Sequence, residues 1–167
     1  MTGKSNAVQS IPEGYYTVTP WIIVRGAAQL IDFLKEAFGA VEKGRVYNED
    51  DAIGHAEVQI GDSVVMMFDA KEEWPPTPSF LRLYVEDGDA VYQQAIKAGA
   101  TSVTEMTELF FGDRVGRVRD PFGNVWWIQQ HREIEPEEMA RRAGEQTYMD
   151  AMQYLQSSLD RELRSRR

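Results

Sequence analysis

His55 and Glu57 stand two apart in the alternating run His55-Ala56-Glu57-Val58-Gln59-Ile60, so on a strand both side chains leave the same face, with Gln59 further along it. An imidazole beside a carboxylate is a general-base arrangement, in which the acid orients the ring that takes the proton. Arg117 and Arg119 alternate in the same way, and a guanidinium so placed holds a carboxylate or an oxyanion. A plainer reading of the same residues stays open: a buried Glu57–Arg117 pair fixes two halves of the chain together while His55 donates to a backbone carbonyl. Asp69 is expected to cap the loop that follows it, Asp113 to form a turn, Arg114 to lie on a rim and His131 to be structural. With no cysteine and two histidines, thiolate catalysis, disulfides and Cys-based metal sites are excluded, and few nitrogen ligands remain for a transition metal.

These side chains need strands to aim them. Tyr15 to Val24 reads as a strand with Pro20 as its oddity, a residue confined to an edge or a bulge because it cannot donate to the ladder. Leu30, Phe33, Leu34, Ala37 and Phe38 recur at helical spacing within Ala27 to Phe38, and Gly39 is placed to cap that helix. Val46-Tyr47 reads as a short strand; His55 to Ile60 and Ser63 to Phe68 form a hairpin about Gly61-Asp62. The pattern then repeats. Phe80 to Val85 is a strand, Ala90 to Ala98 a helix closed by Gly99, and Gly112 to His131 a hairpin turning at Asp120-Pro121-Phe122-Gly123-Asn124. In its second strand Trp126 and Trp127 point to opposite faces, one into the core and one onto a concave or covered surface. The sequence therefore predicts an α+β fold of two βαβββ modules of about 60 residues, at roughly 15–70 and 79–132. Residues 1–14 are expected to be a flexible arm, and 133–167 a helical extension.

The paired modules, with GHAEVQIGDSVVMMFD and GDRVGRVRDPFGNVWWIQQH, resemble the PhnB-like branch of the vicinal oxygen chelate superfamily, which includes glyoxalase I, bleomycin resistance proteins, fosfomycin resistance enzymes and extradiol dioxygenases. The resemblance covers Thr17 to His131. It implies modules whose sheets form a curled mixed sheet around a cup, helices on the outer faces, and assembly as a homodimer. In metal-using members two strand positions per module supply His, Glu or Gln. Carried onto this chain they fall on Thr19 and Phe80, and on Val65 (or Met67) and Trp127, none of them metal donors. The expectation is thus a cup without metal or other cofactor, lined by Thr19, Val65, Met67, Phe80 and Trp127, with Arg117 and Gln129 as polar contacts and His55 and Glu57 as catalytic candidates. Trp74, in the proline-rich Lys71 to Ser79, and Phe111, in Glu105 to Phe111, are candidate lid residues. Such a cup would bind a small apolar or aromatic molecule; the alternatives are a metal-free enzyme using His55 and Glu57, a metal-dependent lyase or dioxygenase, and side chains that merely fill a core.

The extension begins at Pro136-Glu137-Glu138, a helix start with acid at the positive end of the dipole, and Gly144 interrupts it. Tyr148, Met152, Leu155 and Leu159 then make one apolar stripe that must bury against its own domain or a partner. The 43% hydrophobic content of the 167 residues supports a sizeable core, and a net charge of −9 argues against nucleic-acid binding. No apolar run approaches a membrane span and MTGKSNAVQS has no leader-like segment, so a cytoplasmic protein is expected.

Overall fold

The computed structural model describes residues 8–166. The first module comprises β1 (Trp21–Val24), α1 (Ala27–Phe38), β2 (Val41–Tyr47), β3 (Ile53–Ile60) and β4 (Ser63–Asp69); the second comprises β5 (Phe80–Tyr84), α2 (Gly88–Lys97), β6 (Thr101–Glu108), β7 (Arg114–Arg119) and β8 (Val125–Gln130). Each module folds its strands into a mixed sheet, ordered β1-β4-β3-β2 and β5-β8-β7-β6. The first strand of each runs parallel to the last, and the other pairings are antiparallel. The α+β class and the duplicated modules are as expected.

One face of each sheet is closed by its helix. Leu30, Ile31 and Leu34 of α1 bury against Ile22, Ala56, Val58, Val65 and Met67, and Ala95 of α2 shares its core with Val118, Trp126 and Ile128. Phe38 joins the two, its ring 5.0 Å from that of Trp126. The N-terminal amides of α1 are satisfied from far along the chain: Asp69 Oδ1 accepts from Gly26 N (3.0 Å) and Ala27 N (2.8 Å), while its Oδ2 accepts from Ile53 N (2.7 Å). Asp69 therefore caps the first helix rather than the loop after it. In the second module Gln130 Oε1 accepts from Gly88 N (3.1 Å) at the corresponding place.

Three boundaries differ from the sequence reading. β1 begins at Trp21, with Pro20 contributing only its carbonyl, which accepts from Met66 N (3.0 Å); this is the edge position expected for a proline. β2 extends from Val41, and Thr101–Glu108 supplies the strand that the βαβββ pattern requires after the second helix but that was not located in the sequence, because its threonines and acids carry no apolar alternation. Glu105 to Phe111 is therefore mostly β6. The arm expected at 1–14 lies partly outside the described residues.

After β8 the chain forms α3 (Pro136–Ala143) and α4 (Gln146–Arg164), separated at Gly144. α4 packs on its own chain, Leu155 against Leu109 and Val115. Ser158 Oγ lies 2.7 Å from Thr104 Oγ1, and the Glu162 carboxylate binds Arg119 Nη1 at 2.9 Å and Arg166 Nη2 at 2.9 Å. No helix among the described residues is long and apolar enough to cross a membrane. Burial pushes the Glu162 carboxyl up, but the two arginines outweigh it and hold the group below its ordinary value. Its stabilisation is thus present above the unfolded carboxylate range and lost as pH falls through the lower folded value. Glu162→Gln is expected to lower stability by about 1–2 kcal/mol at pH 7, with the gap to the parent closing below about pH 4 in urea unfolding.

Candidate functional site

The face of the second sheet away from α2 is set by the β5–β8–β7 register, which places Arg82 and Arg117 on either side of Trp127. Their guanidiniums lie 4.9 and 3.8 Å from the indole. α4 lies over this face, and between them is a cavity of about 380 Å³, at the lower end of the roughly 300–1,000 Å³ of small-molecule sites. Leu109, Phe111 and Val115 form its apolar wall on the sheet side, and Met152, Leu155 and Leu159 form it on the helix side.

Two polar side chains deep in this site are incompletely bonded. Arg117, 4% exposed, donates through Nη1 to Thr104 Oγ1 (3.0 Å) and Leu155 O (2.8 Å), but its Nε has no partner. Gln129, 6% exposed, donates through Nε2 to Asp113 Oδ2, which fixes the amide and leaves Oε1 unpaired. Asp113 is in turn held by His131 Nδ1 (2.9 Å) and Arg132 N (3.0 Å). Burial acts against its charge, yet these hydrogen bonds keep its carboxyl below the ordinary range. Burial and the neighbouring Arg82 lower Arg117 to about 10, so it remains a cation at neutral pH.

The open face of the first sheet is built differently. Trp21, His55 and Phe68 form an aromatic row with ring centroids 5.3 and 5.6 Å from Trp21, and Trp74 meets Phe68 at 6.1 Å. Glu57 accepts from His55 Nε2 (2.9 Å) and from the Tyr15 hydroxyl, which is the main cause of its lowered carboxyl value. Arg117 stands at the matching place of the second sheet, since Glu57 pairs with Met66 as Arg117 pairs with Trp127. The buried Glu57–Arg117 pair does not form: Glu57 bonds Tyr15 and His55 of its own module, while Arg117 bonds Thr104 and the Leu155 carbonyl of α4.

Of the residues singled out from sequence, Phe111, Arg117, Trp127 and Gln129 meet at one cavity. The others do not join them. Met67 is fully buried against α1, and Val65 faces the same way. The position matching Trp127 is Met66, one residue away, and a one-residue slip moves a side chain through the sheet. Val65 and Thr19 border a separate cavity of about 540 Å³ at the junction of the modules. Phe80 is exposed at the start of β5. Trp74 borders a third cavity, of about 700 Å³, in a loop pinned where Arg25 Nη2 donates to Glu72 O (2.6 Å) and Trp74 O (3.0 Å). Arg82 was missed, although its alternation with Phe80 and Tyr84 in the β5 sequence carried the signal. Met152, Leu155 and Leu159 were seen as a stripe without a destination.

On the open faces of the two sheets, the pairings of β1 with β4 and of β5 with β8 present Trp21, Met66, Arg82 and Trp127. These do not fit a metal, and no group of three or more His, Cys, Asp or Glu among the described residues is arranged to hold one.

A family model described as the glyoxalase/bleomycin resistance protein/dioxygenase superfamily matches residues 15–128. An uncharacterized protein of Mycobacterium tuberculosis is 40% identical over 134 residues, covering 73% of this chain and 79% of that protein. Among solved structures, TioX from Micromonospora sp. ML1 superposes with a TM-score of 0.60 at 23% identity, over 70% of this chain and 99% of that one. The PhnB protein of Bacillus cereus gives 0.55 at 13% identity, over 70% and 100%. At these identities the two structures share the fold.

Proposed function

Within the glyoxalase/bleomycin resistance protein/dioxygenase superfamily, to which this chain belongs, we propose that it is a metal-independent, PhnB-like, cytoplasmic member that binds a small apolar or aromatic molecule between its second sheet and α4. The observation that carries the reading is the cavity over Trp127, apolar in its walls and ending on two buried polar groups with unpaired atoms. A buried donor or acceptor left unpaired costs about 1–3 kcal/mol, and a ligand recovers that cost where a small shift of the two side chains, whose unpaired atoms solvent does not reach, turns them toward it. That Trp21, Met66, Arg82 and Trp127 offer no metal donor supports metal independence. A homodimer belongs to the same reading, a second copy covering the aromatic row of the first sheet, where Trp21 is 44% exposed.

Native mass spectrometry of protein purified without chelator tests these points together. A dimer carrying a small organic molecule is the expected result; a stoichiometric divalent metal would overturn metal independence, and a monomer would remove the dimer. A second reading, a metal-free enzyme, draws on the Tyr15–Glu57–His55 array, in which a charged carboxylate orients the imidazole. On that reading His55→Ala abolishes turnover with the fold intact by circular dichroism. Retained turnover removes His55 from the reaction.

A further inference from the structure

Resting on the reading of the second-sheet cavity as the ligand site, we propose that its ligand is a small organic anion: an apolar body bearing a carboxylate or a comparable oxyanion, bound by Arg117 and Arg82 and accompanied by a hydrogen-bond donor for Gln129.

The chain is acidic overall, with a net charge of −9, yet this cavity concentrates positive charge. Most of the other arginines are matched, among them Arg45 with Glu42, Arg114 with Asp89 and Arg119 with Glu162, and Arg25 is spent on the Glu72 and Trp74 carbonyls. Among the described residues neither Arg82 nor Arg117 has a carboxylate within ion-pair distance, and both guanidiniums gather at one indole. Keeping a guanidinium almost wholly buried beside another cation is unfavourable unless an anion arrives. The Nε of Arg117 has no partner, so the guanidinium keeps hydrogen-bonding capacity that a small side-chain shift brings to that anion. The unpaired Gln129 Oε1, an acceptor held in place by Asp113, asks the same ligand for a hydroxyl or N–H. Phe111, Val115, Met152 and Leu159 accept only an apolar body.

Two fluorescent probes isolate the charge: 1-anilinonaphthalene-8-sulfonate and N-phenyl-1-naphthylamine share rings and N–H, and only the first carries an anionic group. Titrated into the full chain, the sulfonate is expected to bind at least about tenfold tighter than the neutral probe, the scale of one charge-assisted hydrogen bond. Arg82→Gln, at an exposed side chain, should cut that preference several-fold, lowering sulfonate affinity more than neutral-probe affinity. Arg117→Gln should abolish the preference, with circular dichroism reporting whether the loss of its bond to Leu155 O disturbs the fold. Equal affinities for the two probes, or a preference unmoved by Arg82→Gln, would overturn the anion while leaving a binding cavity. Failure of both probes to saturate, or binding unaffected by Leu159→Trp, which fills the space, would instead overturn the cavity as the binding site.

Discussion

Trp126→Ala is expected to destabilise the protein by about 3–5 kcal/mol, while Trp127→Ala, one residue on, costs far less stability and removes ligand binding. Trp126 is fully buried, packs on Phe38, and donates from Nε1 to Asp120 Oδ2 (2.9 Å). Its loss opens a large void where the two modules meet. Trp127 is half-buried on the other face and forms the cavity floor, so its removal forfeits mainly the arginine contacts, worth about 0.5–2 kcal/mol. Urea unfolding followed by circular dichroism, beside probe titration, reads both effects. Equal unfolding midpoints for the two variants would contradict the assigned faces. Trp126→Phe, which keeps most of the volume, should recover all but the hydrogen bond's share of about 1–2 kcal/mol.

Asp120→Ala is expected to cost about 3–5 kcal/mol, because this side chain, 2% exposed, organises the whole turn. Its carboxylate accepts from Phe122 N (2.9 Å), Asn124 N (3.0 Å), Asn124 Nδ2 (2.8 Å) and Trp126 Nε1 (2.9 Å). Asn124 Oδ1 passes the effect on by accepting from Ser79 N (2.9 Å) just before β5. Asp120→Asn keeps one acceptor but turns an amide NH2 toward donors or strands them, so it should fall between parent and alanine. In a double-mutant cycle with Trp126→Phe the losses should not add, since the two variants remove one shared bond. Additive losses would show that the Asp120–Trp126 bond contributes nothing to stability.

The duplication, the helices and the opposed tryptophans were legible because each rests on local signals: periodicity, a glycine cap, side-chain alternation. Register in β4 was not, since Ser63-Val64-Val65-Met66-Met67-Phe68 is apolar at every position after the first and offers no alternation to separate Met66 from Met67. β6 was hidden for the opposite reason: it is largely polar, and its Thr104 is buried by pairing with Arg117 and Ser158. Arg117, Trp127, Gln129 and Phe111 were legible as types, but their meeting place depends on α4, which arrives from outside the repeat. The conspicuous turn Asp120-Pro121-Phe122-Gly123-Asn124 proved to be architecture, while the site beside it uses the strands that the turn aligns.

The paired caps supplied by Asp69 and Gln130 bear on how the chain folds. Asp69 returns over 43 and 42 residues to the start of α1, and Gln130 over 42 residues to the start of α2. Each bond ties the end of a module's last strand to the entry of its own helix, so each half closes a loop of the same length on itself. Closure entropy rises only logarithmically with loop length, and a loop of this size never spans both halves. The duplicated halves thereby have matched topology, each tied end to entry on its own, and they merge in one core to which the Phe38–Trp126 contact belongs.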